Sequence, residues 1–107
     1  MVDEAIVKSV QTYLRTLIER GMDIRFGVIF GSYATGCAHE WSDIDLLVIS
    51  PDYDNLVSRD KIDQLWETAA RVDSRIEPIA CGTDCWEKDD SNPIIEIARQ
   101  EGQQIST

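Results

Sequence analysis

Asp43 and Asp45 stand two apart at the start of an apolar run that reaches Ile49. In an extended strand, residues two apart project to the same face with about 6–7 Å between their Cα atoms. At an effective dielectric of about 20, two carboxylates at that spacing repel by about 2–3 kcal/mol. A shared cation relieves that repulsion. Magnesium suits the donor set, being a hard ion held by a few carboxylates together with substrate phosphates. An exposed edge strand with both carboxylates in water is the plain alternative, but Asp fits strand interiors poorly. Upstream, the apolar segment Ile24 to Phe30 runs into Gly31-Ser32. Glycine lets backbone approach a ligand closely, the hydroxyl adds a donor, and N–H groups at a helix start attract anions. The two features together predict a phosphate seat beside a metal site. Such a site needs a third carboxylate from a neighbouring strand. Glu77, between Ile76 and Pro78, is the candidate; Asp73, close to a helix end, is expected to face solvent. Two metal ions would activate an attacking oxygen and hold a triphosphate.

The surrounding segments must position these groups. Ile6, Val10, Tyr13, Leu14, Leu17 and Ile18 recur at helical steps, predicting a helix over 3–20 capped by Gly21. Strands are predicted at 24–30 and 44–49, with one helical turn and a loop between them. A second long helix is expected over 58–72, with Ser58 as its N-cap and Ile62, Leu65, Trp66, Ala69 and Ala70 on its apolar face. A third strand, 75–81, contains Pro78 and should therefore be an edge or bulged there. Asn92-Pro93 starts a last helix that stops at Gly102. This order predicts a small mixed sheet flanked by helices, an α/β (α+β) fold, since the link between the first two strands is short for a parallel crossover.

The stretch from Gly31-Ser32 through Ser42-Asp43-Ile44-Asp45-Leu46 to Glu77 resembles the nucleotidyltransferase superfamily that includes DNA polymerase beta, and within it the minimal, antitoxin-like members. The resemblance implies residues 1–107 as one nucleotidyltransferase domain of the polymerase-beta-like fold. It implies Asp43, Asp45 and Glu77 as catalytic and metal-ligating residues, with Glu77 taking the acceptor proton. It implies Gly31, Ser32, Thr35, Gly36 and Ser42 as nucleotide contacts, Mg2+ (two ions) as cofactor, and ATP or another NTP as substrate. The implied reaction is transfer of a nucleoside monophosphate, AMP from ATP, to a hydroxyl. The implied acceptor is a partner protein such as a helical HEPN-type toxin. Two departures stand out. Thr35 replaces an arginine common in minimal members, with Lys88 and Arg99 as possible substitutes, and Glu77 is longer than the usual Asp.

Twenty acidic against ten basic residues leave a net charge of −10. Duplex binding needs the opposite sign, so direct nucleic-acid contact is not expected. The same charge suits a basic protein partner and requires any nucleotide site to bring its own cations. No apolar run approaches the ~20 residues of a membrane span, and the start (Val2, Asp3, Glu4) is polar, predicting a cytoplasmic protein. Cys37, Cys81 and Cys85 form no CxxC pair, so reduced thiols are expected rather than zinc with His39, and Cys81 should end a buried strand. His39 reads as a solvated loop residue, and Trp41 as a base-stacking or loop-packing ring. Two other functional classes fit less well: a binding antitoxin with a vestigial site, and a small-molecule transferase, which usually carries extra helical domains. The short chain leaves little room for an acceptor lobe, so a partner or self-association into a homo-oligomer is expected.

Overall fold

A computed structural model describes residues 2–36, 42–55, 57–88 and 91–107. The chain runs α1 (Glu4–Glu19), β1 (Phe26–Phe30), α2 (Ser32–Thr35), β2 (Ile44–Ile49), a 3-10 turn (Pro51–Tyr53), α3 (Arg59–Val72), β3 (Ile76–Cys81), α4 (Thr83–Lys88), α5 (Pro93–Glu101) and β4 (Gln103–Ser106). The four strands form one sheet in the order β3-β2-β1-β4. Only β2 and β3 are parallel; β1 is antiparallel to both its neighbours. The expected mixed sheet flanked by helices is therefore the observed architecture.

Local chemistry explains where the helices start and stop. Asp3, Ser58 and Asn92 cap α1, α3 and α5 with their side-chain oxygens, each accepting an otherwise orphaned backbone N–H. At the end of α1, Gly21 N–H donates to Ile18 C=O and Met22 N–H to Leu17 C=O, with Gly21 at φ 96°. That is a Schellman closure, which places Met22 on the buried side.

Alternation along the strands divides the sheet's two faces. Ile44, Leu46 and Val48 join Ile29 and Ile76 under α1 and α3 in the larger core cluster. Leu47 and Ile49 join Val28, Phe30 and Cys81 under Ile95 and Ala98 of α5. Cys81 ends β3 and is itself buried, although β3 as an edge strand is only partly so. Each fully buried leucine or isoleucine contributes about 1.5–3 kcal/mol, so β2, buried on both faces, is the centre of the fold.

Several expectations are corrected. Trp66 is 49% exposed and Ala70 is exposed, so the buried stripe of α3 is Leu65, Thr68 and Ala69. Ile18 likewise lies outside the α1 stripe. The first strand begins at Phe26 rather than Ile24. β4 and α4 have no counterpart in the sequence reading. β4 is four residues of mostly polar sequence whose strand state comes from pairing with β1, not from propensity. β3, by contrast, is the edge strand that Pro78 predicts, with its register continuous through the proline.

Candidate active site

The sheet register brings the predicted carboxylates together. Asp45 lies opposite Phe30 on one side and opposite Glu77 on the other. Asp45 shares the parity of Leu47 and Ile49, so it belongs to the face that α5 covers. Asp43 precedes β2 and is exposed, whereas Asp45 and Glu77 are half-buried. The three interact directly. Burial first, then the charge and close approach of Asp43, then those of Asp45, raises the Glu77 carboxyl above the ordinary range. Burial, then the charge of Asp43, raises the Asp45 carboxyl, while the Glu77 hydrogen bond opposes this.

Among the described residues no group of three or more His, Cys, Asp or Glu side chains is arranged as a ready-made metal cage. The donor set still fits a hard cation of the magnesium kind, which takes one or two carboxylates and completes its shell with water and phosphate oxygen.

Gly31 links this cluster to the expected phosphate seat. Its φ is 74°, a conformation that side-chain-bearing residues rarely adopt, and a Cβ there would collide with the Asp45 carboxylate. The Gly31 backbone is thus held directly against the acidic cluster. Ser32 opens α2, and the Gly31 carbonyl accepts from Ala34 and Thr35 N–H at 3.1 and 3.2 Å. Thr35 Oγ1 also donates to Gly31 and Ser32 carbonyls. Gly36 ends the turn in the left-handed region, and Ser42 is buried next to Asp43. His39, Trp41 and Cys37 lie outside the described residues.

Three basic groups and one acid sort themselves. Arg99 stacks over Trp86 and donates to the Trp86 and Cys85 carbonyls at 2.6 and 2.9 Å, so it braces α4 and does not stand in for an arginine at Thr35. Lys88 is exposed at the end of α4. Asp73 does not face solvent: its side chain is 11% exposed and grips Arg75. Arg75, which the sequence reading passed over, lies two residues before Glu77; that spacing was the available signal.

The family description "Nucleotidyltransferase domain" matches residues 10–97, most of the chain. This chain belongs to the nucleotidyltransferase domain family. The domain's fold recurs in solved structures. A toxin–antitoxin complex with AMP-PNP aligns with a TM-score of 0.61 at 19% identity, over 92% of this chain and 70% of that one. A proposed nucleotidyltransferase from Sulfolobus solfataricus gives 0.66 at 14% identity, over 92% and 77%. A variant of the MntA–HpeT toxin–antitoxin gives 0.61 at 20% identity, over 98% and 72%. At these identities the nucleotidyltransferase domain shares their fold. No curated protein matches it in sequence. Among the described residues no helix is long and apolar enough to cross a membrane.

Proposed function

We propose that this nucleotidyltransferase domain moves AMP from ATP to a hydroxyl on a partner protein, a helical HEPN-type toxin being the expected class. The observation that carries the reading is the in-register pairing of Asp45 with Glu77, with Gly31 backed onto Asp45. The likeness in fold to toxin–antitoxin structures, one of them solved with AMP-PNP, supports the choice of nucleotide and partner. Asp43, Asp45 and Glu77 would hold magnesium, two ions by the resemblance. When bound, magnesium neutralises the triphosphate and makes the acceptor hydroxyl easier to deprotonate.

The chain's own residues then have defined tasks. Gly31 and Ser32 receive the triphosphate through backbone N–H and hydroxyl donors, with Thr35, Gly36 and Ser42 bounding the seat. The acceptor oxygen forms a bond to the α-phosphorus, the bridging α–β P–O bond breaks, and pyrophosphate leaves. Glu77, ionised in the loaded site, takes the acceptor proton. Catalysis rests on positioning and charge stabilisation.

The test is label transfer. The protein is incubated with magnesium, a cell extract, and ATP labelled at either the α- or the γ-phosphate. Label should reach a discrete acceptor from α-labelled ATP alone. Asp43→Asn or Asp45→Asn should cut the rate by at least about a hundredfold. No transfer from any nucleotide, with a partner captured equally by wild type and variants, sinks the enzyme reading in favour of an antitoxin that acts by contact.

A further inference from the structure

The sheet has two edges, and they are built differently. On β3, Pro78 offers no backbone N–H, so an incoming strand finds a gap in the edge. β4 has no such guard. It reads Gln103-Gln104-Ile105-Ser106, with neither a proline nor a charged side chain. The whole chain holds 20 acidic and 10 basic residues, so an edge strand free of charge is out of character with it. Edge strands are normally blunted by lysine, proline or a bulge, because their unpaired N–H and C=O groups template a further strand.

β4 is paired on one side. Its register with β1 is continuous, from Phe26 against Ser106 to Ile29 against Gln103. Outside that ladder, no backbone group among the described residues bonds to residues 103–106. Gln11 of α1 reaches the Ser106 carbonyl with an exposed side-chain amide at 3.4 Å, a long bond that a strand N–H can replace. Ile105 points into the core, while Gln104 and Ser106 are exposed on the other face.

Charge decides between occupants. A foreign partner for a chain of net charge −10 is selected by basic groups, and β4 presents no carboxylate to receive them. A second copy carries the same −10 and comes close only where neither surface is charged. An antiparallel strand is also its own complement about a two-fold axis.

We propose that two copies of this chain pair through β4, antiparallel about a two-fold axis, so that the two four-stranded sheets become one. Pro78 guards both outer edges of the joined sheet, which stops growth at the dimer. Asp45 and Glu77 lie on β2 and β3, away from the joining strand, so both sites stay open. The proposal does not depend on the nucleotidyl-transfer reading.

Sedimentation velocity on the full chain over a dilution series reads the assembly. Amide hydrogen exchange of residues 103–106 at high and low protein concentration reads its place. Wild type should pass from monomer to dimer, with exchange in 103–106 slowed in the dimer. Gln104→Lys puts a charge on the edge while lowering the net negative charge. It should raise the dissociation constant at least about tenfold, because like charges then meet across the axis. Ala70→Lys makes the same charge change on the exposed side of α3 and should leave the dimer intact. A wild type that stays monomeric at every concentration overturns the proposal. So does a dimer that Gln104→Lys leaves unchanged, or growth beyond two copies. Slowing of exchange outside 103–106 alone also overturns it, and that measurement on wild type needs no variant to fold.

Discussion

Asp45 is a carboxylate that the fold holds at a cost. Folding buries it and sets it near Asp43, so its carboxyl titrates above its ordinary value of 3.8. A carboxyl whose folded pKa exceeds its unfolded one favours folding only while protonated; that contribution is lost as pH rises through the folded pKa. Asp45→Asn keeps the shape without the charge. In chelator at pH 8 the variant should therefore melt above wild type, with the gap closing as pH falls towards 3.8. Thermal melts across pH check this, and a gap independent of pH would remove the strained carboxylate from the account. The acidic pair was legible in the sequence because two Asp residues ahead of an apolar strand violate strand preference. Arg75 was not, because it is unremarkable until the fold sets its guanidinium on the Asp73 carboxylate.

Edges and caps decide the elements. α1, α3 and α5 were readable because caps and helical periodicity act within a few residues. β3 carries a proline, and its place follows from donor geometry. Ile44 N–H donates to Arg75 C=O, and Ser50 N–H to Cys81 C=O. In a parallel ladder that spacing assigns the odd-numbered residues of β3 to β2 and turns the nitrogens of the even-numbered ones to the free edge. Pro78 thus costs no ladder bond and denies a donor to other chains. Pro78→Val should leave stability within about 1 kcal/mol by urea titration and increase self-association in light scattering, because an edge N–H becomes available. A loss of several kcal/mol would mean that the ring packs in a way valine cannot. The exposure of Trp66 shows where periodicity misleads: a wide apolar stripe on α3 does not say which flank the sheet covers.

At the scale of the whole molecule, a net charge of −10 on 107 residues works against compaction. The described ion pairs are mostly exposed partners on one helix face, such as Lys8 with Glu4, and contribute little. Raising sodium chloride from about 0.02 to about 0.3 M should therefore raise the melting temperature by a few degrees through screening. Magnesium at equal ionic strength should add a further increase for wild type and not for Asp45→Asn, since only a ligand of the folded state stabilises by mass action. Equal shifts for both proteins would reduce magnesium to a screening ion here.

By itself the sequence determined most element types, most helix ends and the mixed sheet, and put Asp43, Asp45 and Glu77 forward as candidates, because those readings depend on caps, periodicity and short motifs. Tertiary structure alone decided that Asp45 meets Glu77, that Gln103–Ser106 becomes a strand and that Arg99 serves α4. Those pairings join residues far apart in the chain. Their energy comes from register and burial that no local segment encodes.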